Sequence, residues 1–364
     1  MSTVSNLVVW DDASTDSGFC SDVERRPCQP TSSRRQKTKS LYGNDERCLN
    51  QGNDEKDKTK DSSKSLPSRF RKTNDCSIIW NEITLNDFDY VRNLGGGGYA
   101  RVDLVRLTRH KNEECFALKK INKKLVLEAK QQRQFEAEKD VLMAAKSRFI
   151  PMLYKTFSSS NHVYLLTEAC LGGDLFSYLE RFGPMHCSMA RFVIACAVEA
   201  LDYLHHALHV IHRDVKTENL LIGEHGILKL ADLGFCKTVD PSHSSTYTFC
   251  GTPGYIAPEV LLDKGHSFSA DYFSLGVVAY EILTCRSPFR RLAIIDTYKA
   301  TIRGITDVAF PNNLDHVTRS FVRGLCYREP ERRLGPEIHS HEWFYGFSWL
   351  QLRAGNMVSP LCLS

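Results

Sequence analysis

Short β-rich runs followed by helical patterns constrain the fold of this chain most. Three runs, 90–94, 102–107 and 115–119, are rich in strand-forming residues and are separated by glycine or polar turns, as in an antiparallel sheet. After Thr167 the pattern becomes mostly helical, and the apolar run 273–283 is long enough for a buried helix. We therefore predict an α+β bilobal fold, in which a small antiparallel β-sheet lobe with one helix precedes a larger, mainly helical lobe.

Composition separates an N-terminal tail from this domain. Residues 11–77 are dominated by polar and charged side chains, so they cannot bury enough apolar surface to offset the conformational entropy lost on folding. We predict a disordered tail over 1–80. The 13 cysteines form no CxxC pair and are odd in number, which argues against a zinc site and a disulfide framework.

Hydropathy and charge limit the cellular locations and the classes of partner that the sequence allows. No apolar run approaches the ~20 residues that a membrane-spanning helix needs, and the first ten residues lack the pattern of a secretory signal. The predicted location is cytoplasmic, with nuclear entry left open. A formal charge of +4 over 364 residues is too small to indicate a nucleic-acid partner.

Four consecutive glycines in LGGGGYARV, 94–102, form the first candidate binding segment. Without a Cβ, glycine lets backbone N–H groups approach a phosphate closely. A plain flexible turn has the same composition, and a dinucleotide-binding fold would need a helix directly after the glycines. Here the run 101–107 is strand-like, which disfavours a dehydrogenase and favours a hairpin over a nucleotide.

Two charged residues lie where their apolar neighbours predict burial. Lys119 ends the run 115–119, and Glu138 shares a helical face with Phe135 and Leu142. A buried carboxylate needs a partner, and a lysine held beside one could bind phosphate oxygens. Either residue alone could simply be solvated, but the two together favour an ion pair.

The segment VIHRDVKTENLLI, 210–222, carries the strongest chemical pattern. Asp214 and Asn219 have the spacing at which a carboxylate meets a hydroxyl nucleophile while an amide oxygen meets Mg²⁺. A solvated polar loop is the alternative. Asp232 is predicted to end the next strand, where it would suit a metal-bridging carboxylate, and Glu259 and Arg333 could pair to brace the large lobe.

From about Leu85 to Leu352 these motifs, in this order, resemble those of eukaryotic protein kinases. Lys216 and Thr252 resemble the serine/threonine type, and TYTFCGTP resembles the activation segment of the AGC group. The segments EACLGGDL, KGHSFSADYFSLG, RGI and HEWFYGFSWLQLRAG are similar to the catalytic domain of cGMP-dependent protein kinases. Cyclic-AMP-dependent kinases are the next most similar.

The resemblance implies a serine/threonine protein kinase that transfers the γ-phosphate of Mg-ATP to basic protein segments. It implies a catalytic domain over 81–346 and a short, truncated C-terminal tail over 347–364. Within the domain, the implied parts are a small lobe (81–167), a hinge (168–172) and a large lobe (173–346). The alternative is a catalytically weak, kinase-like scaffold that binds nucleotide or partners.

The resemblance also implies roles for individual residues. Asp214 would orient the substrate hydroxyl and accept its proton, and Lys216 would stabilise the γ-phosphate. Glu138 would hold Lys119 on the α- and β-phosphates, while Asn219 and Asp232 would hold Mg²⁺. The implied ATP-binding residues are Leu94, Gly95, Gly96, Gly97, Gly98, Tyr99, Ala100, Val102, Ala117, Lys119, Thr167, Glu168 and Cys170. The implied substrate-binding residues are Asp174, Glu218, Glu281 and Thr252, and Thr248 would be phosphorylated by an activating kinase.

Several positions depart from the family pattern. Ala100 replaces a glycine, and Leu233 replaces a phenylalanine whose apolar packing it should keep. Gly254 replaces a glutamate that helps to recognise basic substrates, so the more distant arginine preference is expected to be looser. The first 80 residues are too polar to fold into a cyclic-nucleotide-binding domain. Cyclic nucleotides are therefore not expected to bind this chain.

Overall fold

The described residues of the chain all lie in one unit that spans Ile79–Ser364. The predicted tail over 1–80 lies outside the described residues except for Trp80, and so do Gly98 and Tyr99. A computed structural model describes the ranges 80–97, 100–108, 114–128, 131–240 and 245–361.

The first lobe is built on a five-stranded antiparallel sheet with the strand order β1-β2-β3-β5-β4. The three predicted β-rich runs lie within the first three strands. The inward side chains of β2 and β3, which include Leu104, Phe116 and Ile121, are buried. The strands are β1 (Phe88–Gly96), β2 (Ala100–Leu107), β3 (Cys115–Asn122), β4 (Leu153–Ser158) and β5 (His162–Glu168).

Two helices, rather than the single one predicted, lie between β3 and β4 in the chain. The expected helix is α2 (Gln132–Ala144), and its buried face includes Phe135 and Glu138, as the spacing predicted. The additional helix, α1 (Lys123–Glu128), buries only Val126. Because a six-residue helix with one buried side chain has no apolar period, its sequence gave no helical signal.

The second lobe is mainly helical and contains two short strand pairs, β6 with β9 and β7 with β8. A single π-helical turn, Tyr203–Ala207, follows its second helix. Its helices are α3 (Leu175–Phe182), α4 (Cys187–Asp202), α5 (Pro258–Leu261), α6 (Ser269–Thr284), α7 (Ile294–Arg303), α8 (His316–Leu325) and α9 (Trp349–Ala354). Its strands are β6 (Val210–Ile211), β7 (Leu220–Ile222), β8 (Leu228–Leu230) and β9 (Lys237–Thr238).

The core of the second lobe lies around α4 and α6. The predicted helix over 273–283 is α6, and every residue from Ala270 to Leu283 is buried. Phe273 stacks on Phe289 with ring centroids 5.6 Å apart. None of the helices among the described residues is both long and apolar enough to cross a membrane.

The predicted brace between Glu259 and Arg333 is confirmed. Arg333 Nη1 lies 2.7 Å from Glu259 Oε1 and Nη2 lies 2.9 Å from Oε2, with both side chains buried. This two-pronged geometry fits a guanidinium to a carboxylate. The pair fixes the start of α5, which follows the segment that reaches the site described next.

Candidate active site

A buried carboxylate on α6 holds the loop between β6 and β7. Asp271 accepts hydrogen bonds from the backbone N–H groups of His212 and Arg213, each at 2.8 Å, and lies 2.8 Å from His205 Nε2. Burial raises the pKa of Asp271, but His205 and the backbone donors lower it by more than burial raises it. The net pKa is therefore below its usual value. The sequence analysis missed this anchor, although an acid at the start of an otherwise apolar helix was a usable signal.

The loop brings four of the predicted residues into one hydrogen-bonded group. Asp214 Oδ1 accepts from Thr252 Oγ at 2.6 Å, and Asp214 Oδ2 lies 2.7 Å from Lys216 Nζ. Asn219 Nδ2 donates to Asp214 Oδ2 at 3.1 Å and to its backbone oxygen at 2.8 Å. Asp214 is only 2% exposed, so these donors hold its carboxylate in one orientation.

A second group lies between the lobes. Lys119 on β3 is 2.5 Å from Glu138 on α2, and its Nζ lies 3.6 Å from Asp232 Oδ1. The predicted ion pair is therefore present. Asp232 lies two residues past the end of β8 in a left-handed conformation, φ 58°, so it follows the strand rather than ending it. The next residue, Leu233, is 1% exposed and packs beside α2, which fits the expected apolar role.

The charges of this second group stabilise each other. Burial lowers the pKa of Lys119, but the carboxylates of Glu138 and Asp232 raise it, and the net pKa is above its usual value. Burial raises the pKa of Asp232, but Lys119 lowers it and the net pKa is below its usual value. Lys119 and Asp232 are therefore both charged at neutral pH.

Asn219 and Asp232 have the donor atoms that Mg²⁺ prefers. The amide nitrogen of Asn219 is used by Asp214, so its amide oxygen remains an acceptor. The Asp232 side chain is 48% exposed, and its carboxylate can take a hard cation. Because Mg²⁺ binds oxygen ligands, these two residues fit the ion.

The hairpin between β1 and β2 explains part of the glycine run. Gly97 N–H donates to Ala100 O at 2.8 Å, and a Cβ on Gly96 would lie 2.8 Å from the same oxygen. Glycine is therefore required at position 96 by the close approach of two backbones. Five more residues that the sequence assigned to ATP lie on adjacent strands of the same sheet, namely Leu94 and Gly95 on β1, Val102 on β2, Ala117 on β3 and Thr167 on β5.

The segment predicted as the hinge, 168–172, begins at the last residue of β5. Thr167 Oγ donates to Ala117 O at 3.4 Å, which links β5 to β3. Cys170 is partly buried, and burial together with the Glu168 carboxylate raises the pKa of its thiol to about 12. Glu168 and Cys170 thus lie where the backbone passes between the lobes.

A buried lysine that the sequence analysis missed ties this hinge to both lobes. Lys229 on β8 is 8% exposed. Its Nζ lies 2.9 Å from Glu168 Oε2 and donates to Arg148 O, between α2 and β4, at 2.7 Å. The available signal was a lysine between two leucines in a short strand.

The residues predicted to bind substrate arginines fall into two environments. Glu281 is 8% exposed, and it accepts hydrogen bonds from Tyr255 OH and from Thr217 Oγ. Burial raises its pKa, and the nearby Glu218 carboxylate raises it further. Asp174 instead caps α3, where it accepts from the backbone N–H of Ser177 at 2.7 Å.

Thr248 lies in an exposed segment near Arg213. Arg213 Nε donates to Phe235 O at 2.7 Å, while its buried Nη1 has no hydrogen-bond partner among the described residues. Lys237 Nζ donates to Thr246 Oγ at 2.7 Å. Two cations therefore adjoin the segment in which Thr248 was predicted to be phosphorylated.

Comparison with known proteins agrees with the fold. Residues 88–344 match the family model described as the protein kinase domain. The chain therefore belongs to the protein kinase family.

Several cGMP-dependent protein kinases are similar to this chain. Cyclic-GMP-dependent protein kinase 2 of Homo sapiens is 43% identical over 282 residues, which are 76% of this chain and 36% of that protein. The cGMP-dependent protein kinase of Drosophila melanogaster described as isozyme 2 forms cD5/T2 is 41% identical over 286 residues, which are 77% of this chain and 30% of that protein. The cGMP-dependent protein kinase egl-4 of Caenorhabditis elegans is 37% identical over 302 residues, which are 81% of this chain and 38% of that protein.

The match is confined to part of these relatives. The chain spans about a third of the length of the curated relatives it matches. Over that part, the predicted resemblance to cGMP-dependent kinases is confirmed, and the matches support the predicted enzyme class, a protein serine/threonine kinase.

Proposed function

We propose that this chain is a protein serine/threonine kinase that transfers the γ-phosphate of Mg-ATP to hydroxyl side chains in basic protein segments. The observation that carries the proposal is the Asp214 group, in which Thr252, Lys216 and Asn219 hold one carboxylate within 3.1 Å. A carboxylate fixed in this way can orient a hydroxyl and accept its proton, which contributes ~10²- to 10⁴-fold to rate.

The nucleotide would lie under the β1–β2 hairpin. Lys119, held by Glu138 at 2.5 Å, would bind the α- and β-phosphates. Asn219 and Asp232 would hold Mg²⁺, which supplies neutralisation of phosphate charge. The hinge backbone at Glu168 and Cys170 would bind adenine.

Transfer moves one phosphoryl group between two oxygens. The substrate hydroxyl oxygen bonds to the γ-phosphorus as the bond from that phosphorus to the bridging oxygen breaks, and its electron pair leaves with ADP. The hydroxyl proton passes to Asp214. Lys216, 2.7 Å from Asp214, is placed to stabilise the transferred phosphoryl group.

The preference for basic substrates rests on Glu281 and Glu218. Two neighbouring carboxylates, one of them nearly buried, repel each other and are stabilised by a cation. A guanidinium of the substrate would supply it. Asp174 supports this role less, since its carboxylate already caps α3.

Phosphorylation of Thr248 is proposed as the activating modification. Nη1 of Arg213, which has no hydrogen-bond partner in the described part of the chain, and the ammonium of Lys237 would pair with a phosphate placed there. An activating kinase would supply the phosphate. A cytoplasmic location and the absence of cyclic-nucleotide binding stay predictions of the sequence.

The test is transfer of the γ-phosphate of Mg-ATP to a serine peptide that has arginines two and three residues upstream. Wild type is compared with Asp232→Asn and with the matched control Asp307→Asn, in which the exposed acid lies away from the site. We expect transfer by wild type and the control, large loss in Asp232→Asn, and no response to cGMP.

The kinase-like scaffold makes the opposite prediction. In that case the protein would bind ATP, measured as a thermal shift, yet wild type and Asp214→Asn would both fail to transfer phosphate. Stimulation by cGMP would instead contradict the expectation that cyclic nucleotides do not bind this chain.

A further inference from the structure

The loop before α7 and the first turn of α7 expose apolar and basic side chains together. Leu292 is 110% exposed, and Ile294 and Ile295 are each 60% exposed, while the helix buries Thr297 and Thr301. A helix on a globular protein normally turns its apolar side chains inward, so this arrangement is reversed. We call the exposed set the rim surface, and it consists of Arg286, Arg290, Arg291, Leu292, Ile294 and Ile295.

Hydrogen bonds hold α7 in this orientation. Thr297 Oγ accepts from the backbone N–H of Arg291 at 2.9 Å and donates to Ala293 O at 3.2 Å. Thr301 Oγ donates to Thr297 O at 3.1 Å. Because the inward hydroxyls are satisfied, the inward face is stable as it is, and the isoleucines remain at the surface for another molecule to cover.

The rim surface also carries three arginines, of which Arg290 has an electrostatic interaction with the carboxylate of Glu281. Within the described part of the chain, the guanidinium groups of Arg286 and Arg290 have no hydrogen bond or ion pair. Arg291 Nη1 donates only to main-chain carbonyl oxygens, at 2.8 and 3.2 Å. The acid in the first turn of α7, Asp296, lies 3.6 Å from Lys299 and is paired with it.

Gly254 connects the rim surface with the candidate active site. A Cβ at Gly254 would lie 3.9 Å from Arg290 Cβ. Gly254 comes two residues after Thr252, whose hydroxyl donates to Asp214 at 2.6 Å. A protein segment with its hydroxyl at Asp214 therefore passes close to Arg290, and no side chain at position 254 separates the two.

We propose that the rim surface docks an acidic, apolar segment of the protein substrate. Carboxylates of that segment pair with the three arginines, and an apolar side chain covers Leu292 and the two isoleucines. The inference rests on the proposed kinase function, because it takes the docked molecule to be the substrate. It adds that good substrates carry both signs of charge, a basic residue for Glu281 and an acidic one for Arg290.

The test uses the full chain and peptides of equal length that contain the serine and its two arginines. One peptide adds an Asp-Glu-Leu-Phe segment through a Gly-Ser spacer, and its partner has Asn-Gln-Leu-Phe instead. Each pair is made with the added segment before and after the serine. Transfer gives KM, and fluorescence anisotropy of labelled peptides gives Kd.

Three variants separate docking from catalysis. Arg290→Glu reverses the charge beside Gly254, Leu292→Ser removes the most exposed apolar side chain, and Arg303→Glu is the control at the other end of α7. Wild type should bind one of the acidic peptides at least about fivefold more tightly than its amide partner, the size of an exposed charge pair. Arg290→Glu should abolish or reverse this preference, Leu292→Ser should weaken both peptides, and Arg303→Glu should keep the preference.

Equal Kd values for acidic and amide peptides in both orders would overturn the proposal, as would an unchanged preference in Arg290→Glu. The preference should also weaken as salt is raised, because exposed charges are screened. If no peptide is phosphorylated, the proposed kinase function fails, and the Kd comparison still decides the docking proposal.

Discussion

At the scale of single residues, the candidate site consists of a few charges that are held by one another. Lys119 illustrates this, since it lies between Glu138 and Asp232 and has a raised pKa despite its burial. Such a group acts as a unit, so effects of its members on activity should not add.

We expect Lys119→Ala to lower phosphate transfer by ~10²- to 10³-fold, the size of losing one preorganised electrostatic contact. Glu138→Gln should lower it less, and the double variant should be no worse than Lys119→Ala. Initial rates at saturating ATP check this, with Lys120→Ala as the neighbouring control on β3. Additive losses would contradict the view that Glu138 acts by holding Lys119.

His339 carries a pH-dependent contribution to stability. Its hydrogen bond to Glu199 raises its pKa, burial opposes this, and Asp202, 3.3 Å away, adds to the increase. Because the folded pKa is raised, the stabilisation is complete below the unfolded value of about 6.5 and is lost as pH rises through the folded value.

We therefore expect His339→Gln to destabilise the protein at pH 6 by about 1 kcal/mol or less, as for a partly exposed pair, and to have a smaller effect at pH 8. Urea unfolding at both values measures this. His186→Gln, an exposed histidine with no acid partner among the described residues, should show no such trend. A larger effect at pH 8 would reverse the sign and refute the argument.

At the scale of elements, the C-terminal helix α9 is joined to the loop between α2 and β4. Arg148 Nη1 donates to Arg353 O at 3.3 Å, near the end of α9. The helix ends at Gly355 with φ 74°, and a Cβ there would lie 1.9 Å from Arg148 Nη1. The glycine is thus required for two reasons, its conformation and the space it leaves.

Comparing Gly355→Ala with Gly346→Ala separates the effect of the left-handed conformation from the effect of the space that Arg148 occupies. Gly346 has φ 75° but nothing within 4 Å of an added Cβ, so its substitution should cost only the left-handed conformation, ~1 kcal/mol. Gly355→Ala should cost about 1 kcal/mol more, because Arg148 must leave its acceptor. Denaturant unfolding compares the two, and equal costs would show that Arg148 adds nothing.

Helices and strands show most clearly what the sequence could predict and what it could not. The first three strands, α2 and α6 were predictable, because their apolar side chains repeat at local spacings. The Asp214 and Asn219 spacing likewise lies within one loop. The pairing of Asp271 with His205 was not predictable. Asp271 stands out as an acid at the start of an apolar helix, but its partner is 66 residues away and no local pattern joins the two.

At the scale of the whole molecule, Lys229 joins the hinge to both lobes. It pairs with Glu168 and donates to Arg148 O while only 8% exposed. Position along β8 could not predict this role, because both partners come from other parts of the chain. Removing one member of a buried pair leaves the other charge without compensation.

We expect Lys229→Met to lower the free energy of unfolding by about 3 kcal/mol. Adding Glu168→Gln should restore part of the loss, because the uncompensated carboxylate is removed. Lys299→Met, from the exposed pair with Asp296, is the control and should change stability by about 0.5 kcal/mol or less. Urea unfolding of wild type, Lys229→Met, Glu168→Gln, the double variant and Lys299→Met decides. A double variant as unstable as the sum of the two single variants would contradict the pairing.

The thiol at the hinge has a consequence for covalent chemistry. With its pKa raised to about 12, Cys170 stays protonated at neutral pH, and the thiolate is the reactive form. An acrylamide or chloroacetamide carried into the nucleotide cleft would therefore leave it largely unmodified. We therefore expect inhibitors that occupy the proposed adenine site to bind reversibly.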